Sequence, residues 1–192
     1  METYRRNGIN NMKGTLLVLD LDETLLYATK DKLIQQEDFV AGPYYVYVRP
    51  NLDYFLSEIA EEFKLAIWSS ADDTYVHELV DKIKPAAVHF EFIWGRSRTT
   101  KKRISVTDEY YYVKRLSKVK RKGFLLERTL IIDDTAEKSM LNYGNAIQIA
   151  EFTGNTNDDE LLLLASYLRK FKHVENVRQI DKRYWRNQEM SI

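Results

Sequence analysis

Residues 15–27, TLLVLDLDETLLY, decide how the rest of the chain is read. Four consecutive apolar residues, Leu16 to Leu19, run directly into Asp20 and then Asp22. A short apolar run bounded by polar residues predicts a strand buried on both faces, as in a parallel sheet covered by helices. A carboxylate at the end of such a strand is costly to bury unless its charge is compensated. The compensation has to come from elsewhere in the chain.

The same pattern recurs further along. KLAIWSS (64–70) and TLIIDD (129–134) are apolar runs that end on polar residues, and AAVHFEFIW (86–94) and NAIQIA (145–150) predict further strands. Tyr44 to Val48 is aromatic and β-branched, another strand signal. After Pro50, the residues Leu52, Phe55, Leu56, Ile59 and Phe63 recur at helical spacing, as do Val76, Leu79, Val80 and Ile83 from near Asp72. A last helix is expected from Asn157, with acids in its first turn and basic residues in its last, as the helix dipole favours. Residues 110–119 are expected to form a short helix, and 29–42 to be irregular.

Strands alternating with helices at this rhythm predict an α/β domain with a mainly parallel sheet and right-handed crossovers. Ligands of such sheets sit beyond the carboxyl ends of the strands. That rule gathers Asp20, Asp22, Ser69, Ser70, Asp133 and Asp134 at one crevice.

The bulk numbers narrow the class. A chain of 192 residues, 44% hydrophobic and 30% charged, suits one folded domain rather than a disordered protein. No apolar run approaches the roughly 20 residues of a membrane span, and residues 1–13 form a polar lead-in without a signal-peptide core. With no cysteine there is neither a disulfide framework nor a thiolate metal site, and an intracellular setting is the simplest expectation. The net charge is zero but unevenly spread. Residues 96–122 hold eleven Lys/Arg against two acids, a positive field suited to an anionic substrate.

Clustered carboxylates repel one another unless a cation sits among them. Without His or Cys beside them they favour a hard divalent ion, and Mg²⁺ is commonly held by one or two carboxylates, waters and phosphate oxygens. Side chains two apart in an extended stretch point the same way, so Asp20 and Asp22 can address one substrate. One can attack phosphorus and form an aspartyl phosphate. The other can protonate the leaving oxygen and later deprotonate water. Ser69 can donate to a phosphoryl oxygen, and a lysine is expected to balance the charge on the transferred group.

At these residues the sequence resembles a known family. DLDETLLY is similar to motif I (DxDxT) of the haloacid dehalogenase (HAD) superfamily, in the form that marks the FCP/SCP group of CTD-phosphatase-like, NIF-type proteins. VYVRPNLDYFLSEIAEEFKLAIWSSADDTYV resembles the segment through motif II, YYVKRLSKV the motif III stretch, and LIIDDTAE motif IV. The likeness covers roughly residues 14–177, leaving 178–192 as a C-terminal tail.

The resemblance implies a Rossmann-like HAD fold with a small β insertion after motif I and no large cap domain. It implies a Mg²⁺-dependent phosphatase, with Asp20 as nucleophile and metal ligand and Asp22 as general acid/base. The Asp22 backbone carbonyl would be a further ligand. Asp134 would complete the metal site, with Asp133 beside it. Ser69 and Lys114 would hold phosphoryl oxygens, and Thr24 would steady the motif I loop. Thr24, Arg96 and Tyr75 join Ser69 and Lys114 in the expected substrate-binding set, and Tyr27, Tyr45 and Tyr47 are candidates to line an apolar pocket with Tyr75.

A phosphorylated protein or peptide is the expected partner, at phosphoserine or phosphothreonine, with no membrane association. Alternatives are a phosphatase of nucleic-acid ends or small molecules, and a non-catalytic HAD-like binding module. Arg115 stands where the family usually has aspartate, and residues 96–109 run longer than usual. Both departures bear on the substrate more than on catalysis.

Overall fold

Strand β1 (Leu16–Leu19) lies at the middle of the main sheet in the computed structural model, which describes residues 14–103 and 110–189. The chain continues through β2 (Leu26–Thr29), β3 (Phe39–Ala41), β4 (Tyr44–Val48), α1 (Leu52–Ala60), β5 (Lys64–Trp68), α2 (Asp73–Ile83) and β6 (Phe90–Trp94). Next come β7 (Thr100–Arg103), β8 (Tyr110–Val113), β9 (Thr129–Asp133), α3 (Ala136–Ser139), β10 (Ala146–Gln148), α4 (Glu160–Leu168) and α5 (Trp185–Glu189). The polar lead-in 1–13 and residues 104–109 lie outside the described residues.

The main sheet has the order β10-β9-β1-β5-β6, and every neighbouring pair in it is parallel. The run Leu16–Leu19 is apolar throughout because the two faces of the sheet have different covers. Leu17 and Leu19 pack with Phe55, Leu56, Val76 and Leu164 of the helices on one face. Leu16 and Val18 pack on the other with Trp68, Trp94, Leu116, Val119 and Phe124. Burial on both sides makes the strand a fixed support for the acidic loop at its carboxyl end.

Register sets the position of that loop. Leu19 pairs with Ile67 on one side and Ile132 on the other, so β1, β5 and β9 end at one level. The chain leaves β1 toward β5 and β6, then returns to β9 and β10 on the opposite side. This reversal opens a crevice above β1, where ligands of such sheets bind.

Two smaller sheets flank it. The antiparallel set β2-β4-β3 is the small insertion after the first aspartates, and β7–β8 is a hairpin in the basic stretch. The expected helix over 110–119 is not formed. Tyr110–Val113 is strand β8, paired with Thr100–Arg103, and a 3₁₀ turn follows over Leu116–Lys122. Consecutive tyrosines favour the extended state, and their partner TKKR was too polar to betray itself as a strand. The stretch 29–42 is likewise not wholly irregular, since Phe39–Ala41 adds a third strand to β4.

The last described segment packs onto the domain. Trp185 is buried, its ring 5.4 Å from that of Tyr167, and its indole N–H donates to the Gln148 carbonyl at 2.7 Å. Arg186 pairs with the buried Glu160 of α4.

Candidate active site

Asp20 follows β1 directly, and its N–H still donates to the Ile132 carbonyl at 2.9 Å, so the ladder with β9 holds its backbone. Its carboxylate is buried and meets two lysines. Lys114 Nζ lies 2.7 Å from Oδ1, and Lys138 Nζ lies 3.3 Å from Oδ2. Burial pushes this carboxyl up, but the two ammonium groups outweigh it and leave it below the ordinary carboxylate range. Asp20 is therefore a charged, desolvated carboxylate, the state a nucleophile needs.

Lys114 follows β8 and is completely buried. It bridges Asp20 to Asp133, whose Oδ2 is also 2.7 Å away. Asp133 Oδ1 accepts the Thr135 N–H, so both of its oxygens are occupied. Burial and the neighbouring Asp20 charge push the Asp133 carboxyl up. Asn142 takes the Lys114 backbone carbonyl and the Leu116 N–H, which fixes the turn that delivers the lysine.

Asp22 turns to a different set of partners. Ser69 Oγ donates to its Oδ2 and Tyr75 Oη to its Oδ1, each at 3.1 Å. Burial, followed by the Asp20 charge, raises its pKa above that of a free carboxyl, and the two hydroxyls only partly offset this. Between Asp22 and Thr24 the chain turns through Glu23 in the left-handed region, φ 57°. Burial and the Asp22 charge push the Glu23 carboxyl up to about 7. Two acids in one short loop are thus shifted in opposite directions, Asp20 down and Asp22 up, the directions that would suit a nucleophile and an acid.

Asp134 completes the cluster. Thr24 Oγ1 donates to its Oδ1 at 3.3 Å and Thr135 Oγ1 to its Oδ2 at 2.7 Å. Carboxylate oxygens of Asp20, Asp133 and Asp134 all lie within 4.8 Å of one another. Three hard oxygen donors so close together, without His or Cys, fit Mg²⁺ better than a softer ion.

The sequence-derived residues therefore do not all play one part in the geometry. Asp20, Asp133, Asp134 and Lys114 form one tight group. Thr24 is fully buried with its hydroxyl on Asp134, and Ser69 and Tyr75 hold Asp22. Arg96 stands at the rim. Its N–H donates to the Ala71 carbonyl, its Nε to the Ser70 carbonyl at 2.8 Å, and its guanidinium covers the Tyr112 ring at 5.2 Å. Gly95 makes this corner possible, because a Cβ there would sit 2.7 Å from the Asp73 Cα. Arg115 is exposed beside Lys114.

Tyr44, rather than the expected Tyr27, Tyr45 or Tyr47, is the tyrosine packed against Tyr75 among the described residues, edge to face at 5.8 Å. Tyr45 and Tyr47 alternate with the residues between them along β4, and Tyr47 lies opposite Tyr27 with its hydroxyl accepting the Leu33 N–H. The alternation was legible, but which tyrosine meets Tyr75 was not.

Lys138 is the residue that sequence reading missed. It lies on the single turn of α3, four residues after Asp134, and its ammonium is 3.6 Å from Asp134 Oδ1. Burial would lower its pKa, but Asp20, Asp133 and Asp134 reverse that and raise it. The acid-to-lysine spacing in DDTAEK was the one available signal, since residues four apart on a helix are neighbours.

The family model described as NLI interacting factor-like phosphatase matches residues 15–178. CTD nuclear envelope phosphatase 1B of Danio rerio is 26% identical over 193 residues, covering 93% of this chain and 75% of that protein. Carboxy-terminal domain RNA polymerase II polypeptide A small phosphatase 1 of Homo sapiens is 30% identical over 169 residues, 84% of this chain and 60% of that one. The chain spans 34% and 43% of the length of two yeast relatives. The solved structure of the fission yeast RNA polymerase II CTD phosphatase Fcp1 bound to beryllium fluoride has a TM-score of 0.56 at 17% identity. It covers 92% of this chain and 54% of that one. The shared architecture is the HAD α/β fold. Among the described residues no helix is long and apolar enough to cross a membrane.

Proposed function

The chain belongs to the NLI interacting factor-like phosphatase family of HAD phosphoric monoester hydrolases, and from that premise we propose that it hydrolyses phosphate monoesters through a phospho-Asp20 intermediate. The observation that carries this reading is the split between the two aspartates. Asp20 is buried and held charged by Lys114 and Lys138, while Asp22 is pushed toward its protonated form beside Ser69 and Tyr75.

In the first step an Asp20 oxygen attacks phosphorus, the ester bond breaks, and the leaving oxygen takes the Asp22 proton. In the second, water gives a proton to Asp22 and its oxygen attacks phosphorus. The acyl–phosphate bond breaks, releasing phosphate and restoring Asp20. Lys114 would balance the charge that builds on the phosphoryl oxygens in both steps, and Ser69 would donate to one of them. Asp20, Asp134 and the Asp22 backbone carbonyl would hold Mg²⁺, with Asp133 beside them; when bound, the ion offsets phosphoryl charge. Arg96, Thr24 and Tyr75 belong to the substrate side in this reading.

The substrate we infer is phosphoserine or phosphothreonine in an extended peptide. The names of the zebrafish and human relatives specify a CTD phosphatase, and among the described residues the insertion after motif I is only the three-stranded β2-β4-β3 sheet, which would leave the crevice open. Residues 14–177 would be the catalytic unit, in an intracellular setting.

One observation favours a second substrate class. The basic stretch forms the β7–β8 hairpin and the turn after it, on both sides of Lys114, so a phosphorylated nucleic-acid end would also find compensating charge there. Hydrolysis of phosphopeptides, phosphorylated DNA ends and small phosphate esters, measured with and without Mg²⁺ and over a range of salt, tests the reading. Peptide turnover with a shallow salt slope, abolished in Asp20→Asn, supports it. A steep salt slope with DNA ends favours the second class. No turnover of any ester, with Asp20→Asn identical, would leave a non-catalytic module.

A further inference from the structure

Lys138 and a divalent metal ion would need the same two oxygens. Within the carboxylate cluster most acceptors are already committed. Asp20 Oδ1 takes Lys114 and the Leu21 N–H, Asp133 takes Lys114 and the Thr135 N–H, and Asp134 Oδ2 takes Thr135 Oγ1. Asp20 Oδ2 and Asp134 Oδ1 are the oxygens turned toward Lys138, with Thr24 Oγ1 also donating to the latter. The Lys138 ammonium spans these two at 3.3 and 3.6 Å. Mg²⁺ binds carboxylate oxygens at roughly 2.0–2.1 Å, so an ion joining the same pair has to occupy the space between them. Two cations in contact there repel strongly at low dielectric.

We propose that Lys138 is a built-in competitor of the metal, which must be displaced from Asp20 and Asp134 before the ion can bind. The inference rests on the metal-dependent reading above and adds a cost to metal binding that the motif residues alone do not imply.

The two lysines differ in a way that assigns this part to Lys138. Lys114 is sealed, with a fully buried side chain locked between Asp20 and Asp133. The Lys138 side chain keeps 21% of its surface in solvent and comes from a helix of a single turn at the rim. It can swing outward without unpacking the core.

Two measurements on the full chain test this. In the first, Mg²⁺ is titrated calorimetrically into wild type, Lys138→Met and Asp134→Asn. Removing the competing charge is expected to tighten Mg²⁺ binding about fivefold or more in Lys138→Met, while Asp134→Asn loses it. In the second, wild type is acetylated with a limiting amine reagent, and Lys138 modification is followed by mass spectrometry against the exposed Lys30. Saturating Mg²⁺ is expected to raise Lys138 labelling, and this readout stands even if the methionine variant does not fold. Wild-type Mg²⁺ binding that Asp134→Asn abolishes, but with unchanged or weaker binding in Lys138→Met and unchanged Lys138 labelling, overturns this inference alone. If wild type binds no Mg²⁺, the metal-dependent reading and this inference fall together.

Discussion

The Tyr75 hydroxyl donates a 3.1 Å hydrogen bond to Asp22 Oδ1, joining the second aspartate of the first motif to helix α2. Both Asp22 oxygens are therefore held, because Ser69 Oγ donates to the other one. Hydrogen bonds to the charged form lower a carboxyl pKa, whereas burial and Asp20 raise this one. Removing the tyrosine hydroxyl removes a lowering influence. In Tyr75→Phe the Asp22 acid form survives to higher pH, so the alkaline limb of kcat/KM moves upward. We expect the limb to shift together with about a tenfold loss at the optimum, a fraction of what a positioned acid supplies. A pH profile with an aryl phosphate reads both; a limb shifted to lower pH contradicts the assignment.

Arg49 is expected to contribute strongly to stability. Its buried guanidinium forks onto Asp158, with both bonds at 2.8 Å, and donates to the Thr24 carbonyl at 3.0 Å. One side chain thus ties the loop after β1 to the start of α4. Arg49→Met strands a mostly buried Asp158 carboxylate, and urea unfolding is expected to show a loss of about 3–5 kcal/mol. Arg49→Lys should also destabilise, because an ammonium cannot reproduce the fork.

Lys182 is expected to make stability depend on pH in the alkaline range. Its ammonium donates to the Val177 and Ile180 carbonyls, each at 2.6 Å, and burial pushes its pKa down to about 8. An unfolded lysine titrates near ~10.4, so between these values the unfolded chain binds more protons than the folded one. Stability contributed at this site therefore rises with pH through that window. The unfolding free energy of wild type minus that of Lys182→Met is expected to increase from pH 8 to about 10 in a urea titration series; a flat or falling difference contradicts the low pKa.

The sequence was most legible where hydrophobic runs ended on polar residues. Leu16–Leu19, Lys64–Trp68 and Thr129–Asp133 announced both the parallel sheet and the residues at its carboxyl ends. It was least legible where pairing, rather than composition, creates the element. TKKR has no apolar face, yet it is a strand because three tyrosines and a valine lie opposite. Phe39–Ala41 is too short to signal itself beside β4. Lys138 reads as an ordinary surface lysine until folding brings Asp20, 118 residues away in sequence, within 3.3 Å. The tail residue Trp185 is apolar but isolated, and only the surface formed by Tyr167 and Gln148 gives it a place.

The most direct test of the account is to find the phosphoryl group on the enzyme. Wild type turning over a ³²P-labelled phosphopeptide is quenched in acid, digested and mapped. Acid-stable, base-labile label is expected on the peptide carrying Asp20, and none in Asp20→Asn. Label on another residue, or hydrolysis persisting in Asp20→Asn, would contradict it.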